Sequence, residues 1–106
     1  MTNEYVVKLA TEYLKGHLAR KEAASLVGMI HEIDFINRTI PRFEEVNAAL
    51  KQCPAMYVRR TKDDVEFVST GRAQKITFED MERAYVRYRE SLDAASEGLS
   101  TKVKQS

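Results

Sequence analysis

The chain has 106 residues, enough for one domain of ordinary size and too few for two. Seventeen Lys and Arg against sixteen Asp and Glu leave a formal charge of +1, so no global field draws the protein to nucleic acid or to an anionic membrane. With 43% hydrophobic and 31% charged residues the composition is globular, and the apolar runs fall far short of the roughly twenty residues that span a bilayer.

From Asn3 to Lys15, Val6, Leu9, Ala10, Tyr13 and Leu14 recur at helical spacing, with Asn3 or Thr2 as cap and Gly16 as stop. A second helix is expected from Arg20 to Asn37, its core face carrying Ala23, Leu26, Val27, Ile30, Ile33 and Ile36. Gly28 lies inside it at a cost of about 1 kcal/mol relative to Ala, which points to close helix packing or to simple tolerance. The pattern breaks at Arg38-Thr39-Ile40-Pro41, because the residue before a proline avoids the helical region while Pro41 itself suits a helix's first turn. A third helix follows, with Phe43, Val46, Leu50 and Cys53 as its stripe, Glu44 and Glu45 near its positive end, and Pro54 at its close.

At Ala55 the period changes. Met56 to Arg60 and Val65 to Ser69 are rich in β-branched and aromatic residues and flank the polar Thr61-Lys62-Asp63-Asp64, which predicts a β-hairpin followed by a basic loop from Ser69 to Lys75. Thr77 with Asp80 three positions on is a variant capping box opening the last helix. Phe78, Met81, Tyr85, Tyr88 and Leu92 then fall at steps of three and four, a seam that packs on the core or, alternatively, on a second copy. The composition past Asp93 turns small and polar. Residues 1–95 are therefore expected to form a single domain and 96–106 a flexible tail.

Helix, proline turn, helix and hairpin is the element order of a winged helix-turn-helix domain. The stretch from Asp34 to Leu50, with Phe35-Ile36-Asn37-Arg38-Thr39-Ile40-Pro41-Arg42-Phe43-Glu44-Glu45 at its centre and a strand pair after it, resembles a segment of small uncharacterised bacterial winged-helix-like proteins. The resemblance covers about a third of the chain and implies a mostly helical α+β, winged-helix-like fold with an added C-terminal helix. It brings no defined activity, and Arg42 stands where the pattern has a capping Thr or Ser.

Such a fold would place Arg42, Lys51, Arg59, Arg60, Lys62, Arg72 and Lys75 as nucleic-acid contacts on the third helix, the hairpin and the loop after it. Between Arg38 and Lys75 these residues and Arg38 face five acids, leaving a local excess of positive charge. Against that reading, Glu44 and Glu45 occupy the helix end that would meet phosphate. Tyr57, Tyr85, Tyr88 and Arg89 supply the residue types enriched at protein interfaces. No spacing suits a metal: His31-Glu32 begins like a zinc-protease helix, but Phe35 stands where the second histidine is needed. His17 is expected to serve only local hydrogen bonding. Cys53 on an apolar stripe reads as a small buried hydrophobe rather than a nucleophile, and as the single cysteine it excludes an intramolecular disulfide. Met1 to Tyr5 lacks the basic start and apolar stretch of a secretory signal, so a cytoplasmic location without membrane association is expected. The expectation is a non-enzymatic binding module without cofactors, for a protein partner or a second copy of itself; the alternative is a DNA-binding regulator.

Overall fold

The computed structural model describes residues 2–53, 56–69 and 75–105, of which 96–105 by backbone only. The order is α1 (Glu4–Ala19), β1 (Ala24–Ser25), α2 (Leu26–Asn37), α3 (Phe43–Lys51), β2 (Tyr57–Arg60), β3 (Val65–Val68) and α4 (Phe78–Gln105). Among the described residues this is an α+β arrangement of four helices and one antiparallel sheet in the order β1-β3-β2.

Asn3 starts α1, its side-chain oxygen accepting from the amides of Tyr5 and Val6. The helix passes through Gly16, where the sequence predicts a stop, and ends at Ala19. Its buried stripe, Val6, Ala10 and Leu14, repeats every four residues and packs against α2 and α3.

Helix α2 begins six residues later than the periodicity suggests. Lys21 takes a left-handed backbone (φ 57°), Ala24 and Ser25 pair with β3, and Ser25 then caps α2, its hydroxyl oxygen accepting from Gly28 N at 2.8 Å. Ala23 is consequently exposed rather than part of the core. Leu26, Met29, Ile30 and Ile33 are buried, but Ile36 is not. Gly28 is a close-packing position: a Cβ there would lie 2.5 Å from the Tyr13 hydroxyl and 2.8 Å from the Ser25 hydroxyl.

Arg42 opens α3 without a side-chain acceptor. Glu45 supplies the other half of the cap, its Oε1 accepting from Arg42 N at 2.9 Å. The end expected at Pro54 falls outside the described residues; α3 itself finishes at Lys51. In the sheet, central β3 turns Val65 and Phe67 inward, with Val58 opposite Phe67. Asp64, at the hairpin turn, reaches across to α2, where its Oδ1 accepts from Val27 N at 3.1 Å and from Val65 N at 2.7 Å.

Thr77 and Asp80 form the expected reciprocal cap of α4, at 3.1 Å from Asp80 N to the Thr77 hydroxyl and 2.7 Å from Thr77 N to Asp80 Oδ2. Met81, Ala84 and Tyr88 are buried against the rest of the fold, mainly α2, whereas Phe78 and Leu92 are largely exposed. The backbone stays helical to Gln105, across the stretch where composition predicts fraying. Phe67, Leu14, Leu26, Met29, Ile30, Ile33 and Met81 fill the centre of one core, each contributing about 1.5–3 kcal/mol by leaving water.

Candidate binding surface

The hairpin carries the basic residues a nucleic-acid wing would need, and the structure pairs two of them within the fold. Arg59 lies opposite Glu66 on the neighbouring strand, Nη2 to Oε2 at 3.2 Å. Arg60 donates from Nε to both carboxylate oxygens of Asp80 at 3.1 Å, from Nη2 to Oδ2 at 2.9 Å, and from Nη2 to the Lys75 carbonyl at 2.5 Å. Asp80 is buried and also accepts from Arg83 Nη2 at 2.6 Å. Burial by itself raises the pKa of this carboxyl. The hydrogen bonds from Arg60, the Thr77 amide, Arg83 and the Thr77 hydroxyl outweigh it and bring it down to about 2. Arg60 is thus a strut between hairpin and α4, and its own pKa is raised by the Asp80 bond.

The remaining predicted contacts lie on the hairpin tip, on α3 and on the segment ahead of α4. Lys62 is exposed at the hairpin tip, in an open groove with Asp63, Glu82, Arg83, Val86, Arg87 and Glu90, in which cations and acids balance. Lys51 is exposed in the last turn of α3, and Lys75 is exposed ahead of α4. Arg42 is exposed at the start of α3, its Nε 3.6 Å from Glu45 Oε1. Arg72 and the centre of the expected basic loop lie outside the described residues.

The two acids at the start of α3 differ in kind. Glu44 is exposed, but Glu45 is buried and accepts from the backbone amides of Asn3 (2.7 Å) and Arg42. Only Glu44 therefore opposes phosphate as the sequence suggests.

Two of the four residues read as an interface are committed within the chain. Tyr88 is buried, donates to Asp34 Oδ2 at 2.6 Å and meets the His31 ring edge-on. Tyr85 is half-buried and donates to the Pro41 carbonyl. Burial and neighbouring carboxylates push both phenols up to about 12. Both hydroxyls bond within the contact between α4 and the α2–α3 turn. Tyr57 is half-buried in β2, and Arg89 is exposed on α4.

Cys53 is buried, and burial raises its thiol pKa, which disfavours the reactive thiolate. His17 bonds through Nδ1 to the Tyr13 carbonyl at 2.9 Å. Among the described residues no cluster of three His, Cys, Asp or Glu side chains is placed to hold a metal, and no helix is long and apolar enough to cross a membrane.

Sequence reasoning missed the surface at the end of α2. Phe35 is 81% exposed, the most exposed of the large hydrophobic residues described, with Ile36 at 47% and Ile40, in the following turn, at 38%. Arg38 lies between them in the chain at φ 57°, its backbone amide donating to the Asp34 carbonyl at 2.7 Å. No signal beyond the bare presence of Phe35 on the face opposite Leu26, Ile30 and Ile33 pointed there. No family model, curated protein or solved structure matches the chain.

Proposed function

We propose that the chain is a small non-enzymatic binding module on a winged-helix-like frame, and that it binds protein. The frame is supported by the element order and by the sheet order β1-β3-β2, with a helix pair joined by a short turn ahead of the hairpin. The observation that carries the choice of partner is Phe35, 81% exposed on a helix whose opposite face forms the core. An aromatic side chain held in water costs free energy that its burial in an interface recovers. The internal pairing of Arg59 and Arg60 supports the same choice, because it leaves the hairpin poor in cations for phosphate.

The helix-turn-helix order favours a second reading, a DNA-binding regulator using Lys51 and Lys62. Titration of the protein with random-sequence duplex DNA from low to near-physiological salt, with the mass followed by light scattering, separates the two. The protein-binding module shows no salt-sensitive duplex binding. Micromolar binding that weakens steeply with salt, and whose salt slope flattens when Lys51 and Lys62 become Ala, establishes the regulator instead.

A further inference from the structure

We infer that the chain pairs with a second copy of itself through one face of α1 and α2, Phe35 of each protomer entering the groove between these two helices on the other. This rests on the protein-binding reading above and names the partner.

The groove supplies one half of the contact. It is open, about 240 Å³ in volume, and walled by Leu9 and Tyr13 of α1 and Ile36 of α2, with Gly16 on its α1 side. A cavity of about 150 Å³ accepts benzene, so a phenylalanine ring has room here, whereas small-molecule sites run to roughly 300–1,000 Å³. Gly16 keeps this room open without serving the packing of its own fold. A Cβ there would meet only the end of the Arg20 side chain, at 3.5 Å, an ordinary contact, and alanine would favour the helix.

The other half stands beside the groove on the same surface. With about 100° of turn per residue, Phe35 lies about 60° around α2 from Glu32, which is on the rim of the groove. Phe35 is 81% exposed, and Ile36, at 47%, joins it to the groove wall. A two-fold axis between the ring and the groove carries each onto the other's counterpart, so the contact closes as a pair and does not propagate.

The charges on this face suit a copy of itself. Glu12 and Glu32 are exposed at the rim, Arg20 is paired with Glu22, and Arg38 is exposed three residues beyond Phe35. Farther out, Lys8, Lys15 and Arg42 stand against Asp34, Glu44 and Glu45, so cations and acids nearly balance. Such a balance selects neither an acidic nor a basic partner, and it does not repel an identical face. Entry of Phe35 brings Arg38 towards the acidic rim of the opposite groove.

Sedimentation equilibrium of the full chain from about 1 μM to about 1 mM tests this, with a dissociation constant of about 10–100 μM expected for so small a contact. Phe35→Ala removes the ring and Gly16→Leu fills the groove. Each should weaken association at least about tenfold while leaving the far-ultraviolet circular dichroism unchanged. Mixed in equal amounts, the two variants should associate more strongly than either alone, because Phe35 of the Gly16→Leu chain can enter the open groove of the Phe35→Ala chain. A chain that is monomeric throughout overturns the inference, and so does a mixture that stays monomeric. A dimer indifferent to both substitutions excludes this face while the protein-binding reading stands. That reading fails separately, through salt-sensitive duplex binding that depends on Lys51 and Lys62.

Discussion

Asp80 shows how one side chain decides what its neighbours can do. Its two oxygens take five hydrogen bonds, from Arg60, Arg83 and the Thr77 amide, while its own amide bonds the Thr77 hydroxyl, so helix cap and hairpin strut are one carboxylate. The network ties the Arg60 guanidinium to α4. It also couples stability to pH. A carboxyl lowered from 3.8 to about 2 stabilises the fold fully above its unfolded value, and the contribution disappears as pH falls through about 2. The shift corresponds to about 2 kcal/mol, taken undiscounted because the side chain is almost wholly buried. Asp80→Asn should therefore lower urea-unfolding stability by about 2–3 kcal/mol at neutral pH, and the gap from wild type should close as pH drops from 4 towards 2. A gap that stays constant over that range would show that the charge on Asp80 is not what the network uses.

Between elements, the junction of α1 and α2 turns on Gly28. Alanine there would gain at most about 1 kcal/mol of helix propensity but would force its Cβ against the Tyr13 and Ser25 hydroxyls. Gly28→Ala should destabilise by about 1–3 kcal/mol in urea unfolding, and Tyr13→Phe in the same chain should restore part of the loss by removing the nearer oxygen. Tyr13 also titrates above its ordinary value, chiefly through burial, which fits its place in this junction. Several elements were readable from residues whose effect is local: Pro41 ahead of α3, the polar turn between β2 and β3, and the Thr77–Asp80 cap of α4. What could not be read depends on distant partners. Strand β1 is two residues, Ala24 and Ser25, with no strand propensity of their own; only pairing with Phe67 and Glu66 makes them a strand. The isoleucines at 30, 33 and 36 illustrate a limit of periodicity: Ile36 lies only about 20° around the helix from the fully buried Met29, but it stands two turns further on, in the last turn of α2. A stripe that looked continuous therefore leaves the core at its third member, and Ile36 joins Phe35 on the surface. Counting charges on the hairpin likewise could not show that Arg60 answers to an acid twenty residues away.

At the scale of the whole molecule, the question is how much of the chain the fold requires. Helix α4 spans 28 residues, about 42 Å of helix, yet its buried side chains among the described residues end at Tyr88. From Arg89 to Ala95 every residue is exposed. Among the described side chains, those of α4 that stabilise the domain lie in its first three turns, Met81, Ala84, Tyr88 and the Asp80 network. A chain ended after Ala95 should keep its near-ultraviolet tyrosine circular dichroism and a thermal midpoint within a few degrees of the full chain, since a loss of 1 kcal/mol would shift it by about 4–8 °C. Tyr88→Ala in the full chain should instead cost about 3 kcal/mol, removing a buried ring and leaving Asp34 without its hydroxyl partner. If the shortened chain melts as early as the Tyr88 variant, the distal part of α4 is a stabilising element, and the folding unit extends beyond residue 95.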